Sequence, residues 1–519
     1  MNRFLPLRPR NLAHLWLTGL LLLGGSGAAN AEASAPLAEA SLDAGVAYLQ
    51  AANARSGSHF GFALSLSADG RTLAVGANGE SGGLGGINPA RAGKTTKTND
   101  TSAFSGAVYI FGRTEDDGWR QQAYIKSPSA EPWQEFGFSV ALSNDGRRLA
   151  VGAPFSAGSG DAGAQGSGSV LIYTLAGGEW SQTAALKASR LQAEAQYGFS
   201  LAFSGDGETL AVGAVGETVA TQRDGRRGPA TRLARYAGAV YLYSRHREGW
   251  REQGVVTASN SAAGAFFGRA IALSEDGDTL AVGALGESSN ASGINPTTRS
   301  VVSAVHSGAA YVFVRTEGNW TEQAFIKASN SRSGDQFGRT VALSADGNTL
   351  AVSAIGESGG SRGVDGDQRD RSAEFSGAVY VFNREISEWA QHAYIKGSNA
   401  RRGDRFGDSL AMNADGTILA VGAWGDSSDR QGLFAEPAES PMRWAGAAYV
   451  FQLEPTGWRE TRYIKAPDTA AGAWFGGAGP RGGDGRTVAL SSSGETLAIG
   501  APRAAGLDGD HHSGAVYLY

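Results

Sequence analysis

Five segments of the chain open a long insertion with glycine and an acid: Gly79-Glu80, Gly216-Glu217, Gly286-Glu287, Gly356-Glu357 and Gly425-Asp426, each followed by Ser or Thr. Carboxylates at one position of a repeating chain can form a ring, and Glu80, Glu217, Glu287, Glu357 and Asp426 are thus candidate contacts for cations or a basic ligand. The same residues can instead cap local backbone N–H groups or pair with an arginine such as Arg269 or Arg339. Asp365-Gly366-Asp367-Gln368-Arg369-Asp370 begins with the spacing of a calcium loop, which makes Asp365, Asp367 and Asp370 candidate metal ligands, although the distal bidentate glutamate is missing. His511-His512 beside Asp508 and Asp510 offers donors to a transition metal or forms a solvated polar loop. Arg402-Gly403-Asp404 has the form of an adhesion tripeptide, but the preceding unit reads Ser333-Gly334-Asp335, so Gly-Asp belongs to the repeat and only the arginine is new. Catalytic patterns are lacking: the histidines are scattered, and there is no HExxH, nucleophile elbow or phosphate loop.

The elements that must position these groups recur along the chain. An aromatic-glycine pair marks seven units: Phe60-Gly61, Phe136-Gly137, Tyr197-Gly198, Phe267-Gly268, Phe337-Gly338, Phe406-Gly407 and Phe475-Gly476. In the unit at Phe337, Thr340–Ser344 and Thr349–Ala354 flank an Asp346-Gly347 turn of the kind that tight hairpins need. Ser376–Phe382 and Trp389–Lys396 alternate aromatic and β-branched residues with others, as strands do. Four antiparallel strands repeated seven times predict an all-β fold, a seven-bladed β-propeller. The seventh unit stops after its third segment, Ser513–Tyr519, while Ala47–Gln50 matches the fourth segment of the other units. An N-terminal strand completing the last blade would close the ring and cover exposed edges. Tryptophans 119, 180, 250, 320, 389 and 458 recur at the start of the fourth strand and are read as packing between blades. Between the second and third strands, five units insert about 21–27 residues, and such loops should gather on one rim.

Composition agrees with this. The 519 residues include 76 glycines, about twice ordinary usage, but only 15 prolines and no cysteine. Disulfides, thiolate metal sites and a cysteine nucleophile are excluded. Arg3, Arg8 and Arg10, an apolar run from Leu15 to Leu23 and Ala29-Asn30-Ala31 have the layout of a secretory signal over 1–31, followed by a linker over 32–46 and the propeller over 47–519. Losing that leader removes three arginines and no acid, moving the net charge from −5 to −8, which argues against nucleic acid as a partner.

Phe-Gly, a strand, a turn, a strand ending in Gly-Ala-Pro (Gly152-Ala153-Pro154, Gly500-Ala501-Pro502) and Gly-x-Val-Tyr together resemble the FG-GAP repeat of integrin α-subunit propellers, and more closely the bacterial proteins that carry it. The resemblance implies a propeller used for adhesion, with ligand bound on the long-loop face. The family's calcium loops, long and rich in Asp and Asn between the first and second strands, are replaced here by tight Asp-Gly hairpins, so no calcium cofactor is carried over. The expectation is an exported, monomeric, non-catalytic binding or adhesion module for a protein or glycan, in the periplasm, at the cell surface or secreted. The alternative is a propeller lyase or glycosidase acting on extracellular polymer.

Overall fold

The computed structural model describes residues 46–519 apart from 90–101, 117, 158–164, 226–227, 298, 300–301, 430, 434–441, 480–485 and 506–511. The leader and nearly all of the linker fall outside these, as do Asp508, Asp510 and His511. Every element among the described residues is a strand. Seven antiparallel sheets each have a four-stranded core, in sequence order except that the chain's first strand supplies the fourth of blade 7, and the first strands of successive blades pack on one another around the ring.

Each blade starts from its Asp-Gly turn. In blade 5 the strands are Phe337–Leu343, Thr349–Ala354, Ala378–Glu385 and Glu388–Ile395. Gly347 supplies the left-handed φ of +70°. Asp346 Oδ1 accepts from Ser344 Oγ at 2.5 Å and from Asn348 N at 2.9 Å, fixing the turn from inside. The same Ser-x-Asp arrangement holds blades 1 to 4. In blade 6, Asn413 takes the serine's place and Oδ1 accepts from Thr417 N at 2.8 Å.

The residue before each turn Asp, or before Ser493 in blade 7, joins its neighbour. Ala68 N donates to Asn144 O, Asn144 to Gly205, Gly205 to Glu275, Glu275 to Ala345, Ala345 to Ala414, Ala414 to Ser492, and Ser492 back to Ala68, all at 2.8–3.1 Å. Seven backbone hydrogen bonds therefore run in a closed circle through all seven hairpins. At the opposite end the Phe-Gly pair docks on the preceding blade: Phe337 N donates to Ser307 O at 3.0 Å, and the same bond recurs at all six other blades. The neighbouring backbones are so close that a Cβ on Gly308, whose φ is +81°, would lie 2.0 Å from Phe337 O. The docked rings are buried and meet the third-strand tyrosines edge-on, as in Phe337–Tyr380 at 5.4 Å between centroids. Val, Leu, Ile and Ala of facing sheets fill the space between blades. Trp180, Trp389 and Trp458 are buried in these clusters, and Trp389 Nε1 donates to Gln323 Oε1 of the blade before it at 3.0 Å.

The fourth strand of blade 7 is Ala47–Leu49, antiparallel to Ala515–Leu518 with Tyr48 opposite Tyr517. The long insertions do more than decorate a rim. In blades 1 and 6, Gly86–Pro89 and Gly432–Leu433 pair with the outer edge of the fourth strand. In blades 4 and 5, single bridges Ile294–Ile326 and Val364–Ile395 do the same. Only blade 3 differs, its insertion forming a separate hairpin, Val219–Gly225 with Gly228–Ala234.

If the Ala47–Leu49 pairing holds the ring shut, deleting residues 1–50 will lower the thermal midpoint by more than about 10 °C, because it bares a whole strand edge. A permutant in which Ala47–Gln50 follows Tyr519 through a short turn will keep the midpoint within about 3 °C of the parent. Equal midpoints for deletion and parent would contradict this role.

Candidate functional site

The loop face carries a circle of strained backbone. Where each Phe-Gly docks, two residues face each other in the left-handed region: the one before Ser/Ala-Gly in one blade and the one before Phe-Gly in the next. The first set is Phe104, Gly166, Tyr236, His306, Phe375, Trp444 and His512; the second is His59, Glu135, Gln196, Phe266, Gln336, Arg405 and Trp474, all with φ between 52° and 66°. Thirteen of the fourteen are not glycine, and each costs on the order of 1 kcal/mol. Hydrogen bonds between the paired residues hold them there, for example Phe266 N to Tyr236 O at 3.0 Å. Several of the side chains reach solvent: Tyr236 is 37% exposed and Trp444 46%.

The five acids do not stand on that surface. Glu80, Glu217, Glu287, Glu357 and Asp426 are all buried, so they present no ring of charge to a ligand on the rim. Each clips its loop to the third strand, as where Gly308 N donates to Glu287 O at 2.8 Å. The carboxylate caps the loop's own backbone: Glu287 Oε1 accepts from Ser289 N at 2.9 Å, and Glu80, Glu357 and Asp426 do likewise. The cation beside four of them is the lysine that ends the fourth strand, and Arg371 also reaches Glu357 at 3.1 Å. Lys327 Nζ lies 2.5 Å from Glu287, Lys396 2.7 Å from Glu357 and Lys465 2.8 Å from Asp426, and Lys126 pairs with Glu80, all fully buried. Burial pushes the pKa of Lys126, Lys327 and Lys396 down, against the carboxylates. An asparagine from the preceding blade joins in: Asn260 Nδ2 donates to Glu287 Oε1 at 3.1 Å and its Oδ1 accepts from Tyr311. Of the proposed arginine partners, Arg339 pairs with Asp408 at 2.8 Å and Arg269 lies over the Phe199 ring at 5.2 Å.

Blade 3 solves the same problem differently. Thr257 stands where the lysine would be, and Arg190 stands where the asparagine would be, 4.0 Å from Glu217. The cation has moved to the preceding blade. Blade 2 has Ser156 in place of the acid, and its Lys187 is exposed. The lysines were visible in the sequence as a repeated Ile-Lys or Leu-Lys ending, but blade 2 keeps the lysine without the acid and blade 3 keeps the acid without the lysine, so covariation along the chain does not pair them.

The aspartates of the blade 5 loop point to separate backbone donors. Asp365 Oδ1 accepts from Tyr394 N at 2.8 Å, Asp367 Oδ1 from Arg369 N at 2.9 Å, and Asp370 from Ser372 N and Gly360 N, both at 2.9 Å. Among the described residues, no three His, Asp or Glu converge on one point. Asp365 caps the outer strand edge, as Asn295 does in blade 4. The signal missed was Gly-Ile-Asn-Pro at 86–89 and 293–296, with Gly-Val-Asp-Gly at 363–366. Within Arg402-Gly403-Asp404, Arg402 is exposed and paired with Glu374, while Asp404 is buried and accepts from Arg401 N at 2.7 Å. His512 is bonded to Arg503.

Along the axis, the wall is mainly aliphatic, from residues such as Leu64, Leu142, Leu273 and Leu343. Arg486 crosses it from blade 7 to donate to Ile271 O in blade 4. At the loop end stand the residues after Phe-Gly: Phe62, Phe138 and Phe199 pack in turn with tilted rings, centroids 5.4 and 4.8 Å apart, and Arg339 pairs with Asp408. Burial raises Glu135 to about 7 and Asp335 to about 7, and lowers His59 to about 4. Asp404 is also raised, by burial and then by the Asp426 charge beside it.

Two outcomes follow. Lys327→Met leaves Glu287 buried without its cation and will cost about 3–5 kcal/mol by denaturant unfolding, whereas adding Asn260→Arg to Lys327→Thr, the blade 3 arrangement, will recover part of the loss seen with Lys327→Thr alone. Raised carboxylates stabilise the fold below their unfolded pKa, and that contribution is lost as pH climbs through the folded value, while depressed His59 opposes this only up to about pH 6.5. The thermal midpoint will therefore fall between about pH 6.5 and 8, and less steeply in Asp335→Asn. A midpoint rising over that window would refute the assignment.

Three stretches of the chain, 119–173, 250–313 and 320–382, match the FG-GAP repeat family. Each match starts on the fourth strand of one blade and ends on the third strand of the next, so the family's unit straddles a blade boundary and contains the Phe-Gly docking step. No curated protein matches the chain. Three matched repeats set within seven four-stranded blades identify the chain as an FG-GAP repeat β-propeller protein.

Proposed function

We propose that the protein is an exported, non-catalytic binding or adhesion module that holds a protein or glycan of the cell envelope on its loop face. The circle of left-handed residues carries this reading. Its backbone is the same in every blade, yet its side chains change from Phe to Tyr, His, Trp, Glu, Gln and Arg. Architecture explains the conformation, and a ligand explains why the displayed groups differ around the ring. Export rests on the basic, apolar and small-residue layout of residues 1–31. Binding is favoured over hydrolysis because, among the described residues, the mid-axis wall carries Glu275 and Arg486, with Arg486 bonded across the channel, and of the acids at the hairpin mouth (Asp206, Asp276, Asp346 and Asp415) the first three are bound within their own turns.

The test is a panel of glycans and envelope proteins against residues 32–519, repeated with His306→Ala/Trp444→Ala. Both side chains are exposed, so the fold should persist. A ligand bound by the parent and weakened about tenfold or more, roughly 1.4 kcal/mol, in the double variant is expected. Turnover of a polymer, or binding indifferent to the double variant, would overturn the assignment.

A further inference from the structure

The loop face has a notch at blade 2, where the insertion between second and third strands is short and its neighbours' are long. Trp133 stands in it, 59% exposed with φ +65°, on the link from blade 1 to blade 2. One face of its indole stacks on Phe104, with centroids 4.8 Å apart and planes 10° from parallel. Ala103 O accepts from Trp133 N at 2.8 Å and holds the strained backbone in place. The indole is thus a rigid platform, not a loose surface side chain.

The rest of the notch is built from Phe155, Tyr236, three carboxylates and two carboxamides. Tyr236 donates its hydroxyl to Glu194, which orients that carboxylate. Glu135 accepts from Asn78 Nδ2 at 2.9 Å through one oxygen. Glu131 lies beside Trp133, and Gln165 and Gln196 face them from the next blade. No lysine or arginine lines the notch among the described residues.

An aromatic plane ringed by carboxylates and carboxamides matches one ligand chemistry well. The C–H face of a pyranose packs on the indole, and its hydroxyl or amino hydrogens go to the Glu and Gln oxygens. The negative charge admits an ammonium group, which also gains from the indole face, and it repels carboxylated or sulfated sugars. We propose that the blade 2 notch is a saccharide subsite that takes uncharged or amine-bearing pyranoses and rejects anionic ones. This rests on the binding-module reading and names a ligand class for one part of the same face.

Calorimetric titration of residues 32–519 with a neutral gluco-oligosaccharide, a chitosan oligomer and a polyuronate tests it, in the parent and in Trp133→Ala and Glu194→Gln. Binding of the neutral or amino oligomer, at least tenfold tighter than the polyuronate and weakened at least tenfold in Trp133→Ala, is expected. Glu194→Gln should weaken the chitosan oligomer more than the neutral one. Thermal melts of both variants serve as the folding control, and His306→Ala/Trp444→Ala, remote from the notch, reports on the wider face. No binding of any of the three, equal binding of polyuronate, or binding unchanged in Trp133→Ala would overturn the subsite. If a ligand from the wider panel is lost in His306→Ala/Trp444→Ala but not in Trp133→Ala, the subsite fails while the module reading stands.

Discussion

Seven blades must turn through a full circle, and the backbone hydrogen bonds that pass from hairpin to hairpin make that constraint explicit. Each N–H of the belt has its acceptor only if the neighbouring blade is at the correct angle and height, and the last bond, Ser492 to Ala68, joins the two ends of the seven-blade array. The Phe-Gly docking imposes the same condition at the other end of each blade. Glycine is needed there because the two backbones touch, and the left-handed residues beside it are the cost of bringing them together. Much of the glycine content follows from this close approach, repeated seven times.

Given that scaffold, the buried lysine-carboxylate pairs are best understood as fasteners. Each links a fourth strand, the head of an insertion and, through an asparagine or Arg190, the previous blade. A pair of this kind adds little net stability over an apolar substitute, but a lone charge in the same place is very unfavourable, so its presence enforces one arrangement. In blade 3 the lysine is gone: the Glu217 carboxylate accepts from Tyr241 at 2.6 Å, and Arg190 lies 4.0 Å away. The insertions then fall along the outer edges of four blades, where they cover strand edges that would otherwise be open to other chains. The surface proposed for recognition is the inner circle of the loop face with the notch.

The repeating features were legible in the sequence because repetition multiplies a weak signal. One Phe-Gly pair means little, whereas seven in register fixed the unit, and the Asp-Gly turns fixed its first hairpin. The candidate site was read less well. Glu80 and its equivalents were correctly placed at the heads of loops, but a sequence does not show whether an acid at a loop head faces outward or back into the blade. The deciding residue, Lys126 and its counterparts, sits about 40 positions away along the chain and is a neighbour only once the third and fourth strands have folded. Asp365 was misleading for a related reason: its spacing resembles a calcium loop, while its actual partner is the Tyr394 amide of an adjoining strand. The left-handed ring had no sequence signal at all, since thirteen of its fourteen residues are of types that do not ordinarily adopt that conformation.

Hydrogen exchange on residues 32–519, alone and with a saturating ligand from the binding panel, tests the central claim that recognition belongs to the inner circle of the loop face. Protection confined to peptides spanning residues such as 102–106, 131–138, 234–238 and 442–446, with the Asp-Gly hairpins unchanged, is the predicted result. Protection centred on the hairpin face or the axial wall, with the loop face unaltered, would contradict it.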